Sequence, residues 1–317
     1  MIWNPMDWIW QLFQAGKLTE QPDEDPPEDK KDRAEPGAVD EAVEPEDEQT
    51  APIDVPATPP VSKVSVGAWT GSGSITNTDD MARDVAFAKW LGLTRLDVMV
   101  NDHSAKRQPR DFDTYNKGRV AAFCKRAVGE GIEIHLTTWC MPHERYIHQL
   151  GVQMTDLVGE CGARSICLDA EEPWVNAVRP MSWEAAASLM DEVLDVPFGV
   201  SGIGYASKTK LGPLVRRAQY MAPQCYSTSG NSLDPKKAAV QLSNLWRSRF
   251  GNRPLVVGLA GYKQDGRPGY TKAQFMKAAF DTARRADPVS IVYWSLRHIR
   301  ASRTTANLIR EFTRSLP

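Results

Sequence analysis

Eight short β-rich runs, each followed by a helical pattern, recur along residues 61–317. The runs are Val64–Ala68, Arg95–Val100, Glu133–Thr138, Ser165–Leu168, Phe198–Gly202, Gln219–Ala222, Leu255–Leu259 and Ser290–Trp294. Most are apolar on both faces, as parallel strands covered by helices must be. The helical patterns between them carry their own start and stop signals. Thr78-Asp79-Asp80 opens the first, which runs through Phe87 and Trp90 to Gly92. Asp113, Pro142 and Ser182 open the next three, and a weaker pattern covers Lys208–Arg217. Asp234-Pro235, Thr271 and Ser302 open the last three. Eight strand–helix units in about 250 residues predict an α/β protein, a (β/α)8 or TIM barrel. A doubly wound open sheet is the alternative; it usually places a glycine-rich phosphate loop after the first strand. Gly71-Ser72-Gly73 does not complete that fingerprint.

Charge divides the chain. It has 38 Lys+Arg and 40 Asp+Glu. Residues 1–60 hold 16 acids and 4 bases, so residues 61–317 hold 24 acids and 34 bases, net +10. Residues 17–60 are rich in proline and acid and nearly without aromatics. Such a segment cannot bury enough apolar surface to offset its ordering entropy, and reads as a disordered, extended linker. Residues 1–16, with Trp3, Trp8, Trp10 and Phe13, are too short to span a bilayer and lack the basic start of a signal peptide. They predict a short amphipathic helix that docks a protein partner or lies in a membrane interface. The expected domains are therefore an anchor (1–16), a linker (17–60) and a barrel (61–317). The five cysteines show neither CxxC nor zinc spacing, which predicts buried thiols in a reducing compartment.

Active sites of this fold sit at the C-terminal ends of the strands. Those ends carry Trp69, Trp139, Trp174, Tyr205, Tyr226, Tyr262 and Trp294, and aromatic faces suit the C–H faces of sugar rings. Asp169 and Glu171 lie two apart at the end of the fourth run, so both side chains leave one face. If that face is the lumen, the two carboxylates share the mouth and cannot ionise independently, and one keeps its proton. A protonated acid beside a charged partner is what acid-catalysed glycoside cleavage requires. Two other readings stay open. One is a structural ion pair with an arginine such as Arg164. The other is a metal site with Asp102, His103 or His135 as added ligands, although no HxH or HExxH spacing accompanies it.

Leu168-Asp169-Ala170-Glu171 resembles the fourth-strand DxE motif of two groups of barrel glycoside hydrolases, the family 25 lysozymes and the family 18 chitinases and lysozymes. Gln224-Cys225-Tyr226 is similar to the sixth-strand Gln-x-Tyr of plant-type family 18 enzymes, and Trp294 to their final-strand tryptophan. The sequence departs from family 18 where Arg164 and Cys167 replace aspartates, and from family 25 where Gly67-Ala68-Trp69 lacks one. The resemblance implies that Glu171 protonates the glycosidic oxygen and Asp169 orients the substrate's N-acetyl group. It also implies that Tyr226, with Gln224 beside it, bonds that acetamido group. Trp69, Trp139, Trp174, Tyr205, Tyr262 and Trp294 would line the sugar site. No metal or other cofactor is implied.

A basic barrel attracts an anionic polymer. This favours a polysaccharide such as peptidoglycan, while the scattered bases match no nucleic-acid-binding motif. A tethered wall hydrolase without a signal peptide suggests a phage-borne protein, placed in the host cytoplasm or the virion. Two functions are therefore expected: a lysozyme-like glycosidase, or a catalytically idle barrel serving as a glycan-binding or structural module.

Overall fold

The computed structural model describes residues 64–71, 75, 78–101, 112–171, 174, 181–203, 208–265 and 267–316. The anchor 1–16 and the linker 17–60 lie outside these residues, as do Asp102, His103 and Tyr205. All eight expected runs form strands: β1 (Ser65–Thr70), β2 (Arg95–Met99), β3 (Glu133–Trp139), β4 (Ser165–Asp169), β5 (Phe198–Ile203), β6 (Tyr220–Gln224), β7 (Val256–Ala260) and β8 (Ser290–Trp294). They are parallel, pair in chain order, and close through β1 and β8 into a barrel. The open doubly wound sheet is thereby excluded.

The helices are α1 (Thr78–Leu91), α2 (Lys117–Gly129), α3 (Glu144–Cys161), α4 (Trp183–Val193), α5 (Lys208–Arg217), α6 (Ala238–Phe250), α7 (Lys272–Arg285), α8 (Leu296–Arg300) and α9 (Arg303–Arg314). Ser182 caps α4 and Ser302 caps α9 through their side chains, and Thr271 forms a reciprocal capping box with Gln274 at α7. Gly92 ends α1 at φ 77°, the left-handed conformation that glycine adopts without steric cost. Three starts differ from expectation. Asn116, not Asp113, caps α2; His143 precedes α3; and α6 begins after a turn that follows Asp234.

Side chains alternate along each strand between two cores. Outward residues such as Leu96, Ile134, Leu168, Val200 and Ile291 pack under the helices. Inward residues fill the lumen in layers. Near the strand starts, Arg95 donates from Nε and Nη2 to the two carboxylate oxygens of Asp97, each at 2.7 Å. Its guanidinium also lies 5.7 Å from the centre of the Tyr220 ring. His135 is held between Ser165 Oγ (2.7 Å) and Glu133 (2.8 Å) in the same end. Above them Cys167, Ala222 and Val292 lead up to Met99, Trp69, Trp139 and Trp294. Large inward residues face glycines. A Cβ at Gly199 would stand 2.1 Å from the Tyr220 ring, and one at Gly67 would stand 3.0 Å from the Cβ and Cγ of Arg95.

The β6–β7 seam departs from the rest of the sheet. Its pairing reduces to Met221↔Leu255 and Gln224↔Gly258, whereas β7 and β8 share five residue pairs. Met221 N donates to Pro254 O and Cys225 N to Gly258 O. Pro223, midway between them, has no N–H to give. The expected end of this strand at Ala222 also reflects that proline; the chain stays extended for two residues more.

Candidate active site

Asp169 ends β4 and points into the mouth of the lumen, 4% exposed. Gln224, at the end of β6, donates from Nε2 to Asp169 Oδ1 (3.1 Å) and to Ser201 Oγ of β5 (3.3 Å). Burial, and then the charge of Glu171, hold the Asp169 carboxyl well above the ordinary aspartate value. Bonds from Ser201 and Gln224 oppose that rise without cancelling it. Glu171 follows in a half-buried bend. The charge of Glu171 thus acts on the buried Asp169 carboxyl.

Two tyrosines face the pair. Tyr226, after β6, has its phenol pushed up by burial and then by Asp169 and Glu171. Tyr262, after β7, is raised by burial and then by Glu171. Both are therefore hydrogen-bond donors at neutral pH. Their rings meet edge to face at 6.3 Å. Below them, Trp69 and Trp294 lie 5.9 Å apart at a tilt of 53°, with Gly258 leaving room for the Trp69 ring. Trp139 completes this aromatic floor. Its backbone is fixed on both sides: Asn101 Oδ1 accepts from Trp139 N (3.0 Å), and Tyr146 donates to Trp139 O (3.0 Å).

The structure thus brings together Asp169, Glu171, Gln224, Tyr226, Tyr262, Trp69, Trp139 and Trp294. Trp174 does not join them. It is fully buried in the layer between barrel and helices, against Trp183, and its indole N–H donates to Lys210 O at 2.8 Å. Its rigid ring serves the core, so the expectation that it contacts sugar is corrected. Arg164 is also not a partner of the pair. It is exposed at the start of β4, where its charge acts on Glu133. His135 sits in the lower lumen layer, separated from Asp169 by Cys167 along the barrel. Among the described residues, no group of three or more His, Cys, Asp or Glu side chains could hold a metal ion.

One mouth residue escaped sequence reasoning. His298, on α8, packs its ring 5.2 Å from that of Tyr262, and its Nδ1 lies 3.1 Å from Ser295 Oγ. Burial, and then Arg297, lower its pKa, so the imidazole is neutral at pH 7. The available signal was Ser295 and His298 three apart on the first turn after β8, which places both on one face.

No protein-family model matches the chain, and no curated protein matches it in sequence. Solved structures share the barrel at low identity. A GH5_18 from Bifidobacterium longum subsp. infantis is similar with a TM-score of 0.57 at 12% identity, over 80% of this chain and 79% of that one. A chitinase from Rhizomucor miehei gives 0.52 at 11%, over 78% and 99% of the two chains. The spore cortex-lytic enzyme SleL of Bacillus megaterium gives 0.51 at 11%, over 79% and 74%. At these identities the likeness establishes the fold alone: this chain is a (β/α)8 barrel.

Proposed function

We propose that the protein is a glycoside hydrolase of N-acetylhexosamine polymers, with peptidoglycan as the substrate its charge favours. One observation carries the reading: a coupled Asp169–Glu171 pair at the C-terminal mouth, above an aromatic floor and beside two protonated tyrosines. The glycosidase fold of the structural neighbours, among them a chitinase and a cortex-lytic enzyme, supports it by analogy.

The chemistry follows from the proton the pair holds. Asp169, the more buried acid, has its carboxyl raised well above the ordinary value by burial and by the charge of Glu171. An acetamide N–H donated to Asp169 favours its carboxylate form, and the proton passes to Glu171. Glu171 then gives it to the glycosidic oxygen as the C1–O bond breaks. The acetamide carbonyl oxygen closes on the anomeric carbon, while the Tyr226 hydroxyl donates to the acetamido group. Water opens the resulting ring and returns a proton to Glu171, so the anomeric configuration is retained. Trp69 and Trp294 supply the apolar platform for the sugar.

The test is turbidity loss of outer-membrane-stripped bacterial walls with the full chain and its Glu171→Gln variant. Clearing by the wild type, reduced about 1,000-fold or more in the variant, supports the reading; reducing-end analysis then names the bond. Cys167 occupies the lumen below Asp169, where the resembling family carries an acid, and this favours the second reading of an idle barrel. Wild type that pellets with walls and clears none establishes that binding module instead. Equal clearing by both proteins removes Glu171 from the mechanism.

A further inference from the structure

Tyr226 and Tyr262 stand on neighbouring loops that leave β6 and β7, the two strands least well joined by the sheet. Pairing across that seam is confined to Met221↔Leu255 and Gln224↔Gly258, because Pro223, between them, cannot donate. Something other than the strand ladder must fix the two rings relative to each other and to Glu171.

The loops supply it. Gln264 is 4% exposed, and its Nε2 lies 3.2 Å from Ser227 O, 3.1 Å from Ala260 O and 3.1 Å from Tyr262 O. These carbonyls belong to the residue after Tyr226, to the last residue of β7 and to Tyr262 itself. Three carbonyl oxygens accept only a donor, so the amide orientation follows from chemistry. The Oε1 end is buried and has no hydrogen-bond partner among the described residues. The donor end is therefore the part of this side chain that the fold uses. A second tie lies beside it: Ser229 donates from N (2.9 Å) and Oγ (2.8 Å) to Lys263 O. Lys263 has φ 49°, a left-handed conformation uncommon outside glycine, and these two bonds hold it there. Asn231 Nδ2 donates to Tyr226 O at 2.6 Å.

We infer that Gln264 is a positioning residue, which sets Tyr226 and Tyr262 against Glu171 by bracing the loop after β6 to the loop after β7 across the weak seam. Its effect on hydrolysis rests on the proposed glycosidase reading; its effect on the loops does not.

The experiment uses the full chain and Gln264→Met, which keeps length and removes the donor. Amide hydrogen exchange is read first. Faster exchange confined to residues 225–231 and 260–264, with β1–β5 unchanged, is the expected result. Unchanged loops, or a uniform rise through the barrel, overturns the brace whatever the protein's activity. Where the wild type clears walls, kcat/KM is measured in a double-mutant cycle with Tyr262→Ala. Gln264→Met alone is expected to lower kcat/KM on the order of 10-fold. In the Tyr262→Ala background its further effect is expected to shrink below about 2-fold. Full additivity of the two losses shows that Gln264 does not act through Tyr262, and overturns the assignment. Gln264→Glu gives the rescue arm: a protonated carboxyl can donate again, so its deficit relative to wild type should narrow as pH falls. A wild type that cleaves nothing defeats the glycosidase reading and leaves the exchange result to decide the brace.

Discussion

At Asp169 the surrounding residues choose the protonation state. The folded protein holds a proton there that the unfolded chain releases above the ordinary value of 3.8. The native state therefore binds more protons than the unfolded state between that value and the raised one. In that window stability falls as pH rises. Asp169→Asn should remove this slope, so D169N should gain melting temperature relative to wild type as pH climbs from about 4 towards 7. Parallel melting curves across that range would show that Asp169 is charged in the folded site. Gly199 makes a steric counterpart. Its missing Cβ is the space occupied by the Tyr220 ring. Gly199→Ala should cost about 3 kcal/mol by overpacking, measured by denaturant unfolding. In a Tyr220→Leu background the same change should cost under about 1 kcal/mol. An undiminished cost there would mean that backbone, not the ring, makes the glycine necessary.

Among elements, the β6–β7 seam is weakly laddered, and the loops beyond it add ties of their own. Pro223→Ala restores an N–H midway between the bonds at Met221 and Cys225. The added bond contributes about 1 kcal/mol, and the lost restriction of the unfolded chain offsets about 0.4–1 kcal/mol of it. Global stability should hardly move, while the Met221 and Cys225 amides exchange more slowly; unchanged exchange would mean the new donor finds no acceptor on β7. The strands themselves were legible because runs such as Ile166–Leu168 and Val256–Leu259 are apolar on both faces. Helix starts were less so: Asp113, Pro142 and Asp234 are good turn residues in their own right, and their signals precede the first helical turn. The five residues of α8 are too few to show a period. In the site, Asp169 and Gln224 were readable because strand spacing orients them, and Glu171 and Tyr226 because each stands two residues beyond those strand ends. Trp174 misled because it lies five positions past the end of β4, where its ring packs into the helical layer. Gln264 lies on a loop whose course no spacing rule gives.

At the scale of the whole molecule, residues 61–317 carry a net charge of +10. Attraction to an anionic wall polymer should therefore weaken as the screening length falls from about 10 Å in 0.1 M salt to about 3 Å in 1 M. Pelleting with walls is expected to drop several-fold over that range. Salt-independent binding would place recognition in the aromatic floor alone. The filled lumen has a consequence for traffic. With Arg95, Asp97, His135 and Tyr220 plugging one end, the barrel is a cup and not a conduit. On the proposed glycosidase reading, a polymer cannot be threaded along the axis; it must lie across the rim, and the sugar, the departing alcohol and the incoming water all use one doorway. A cleaved fragment that lingers at that doorway blocks its own replacement, so short product sugars should act as competitive inhibitors of the long chain.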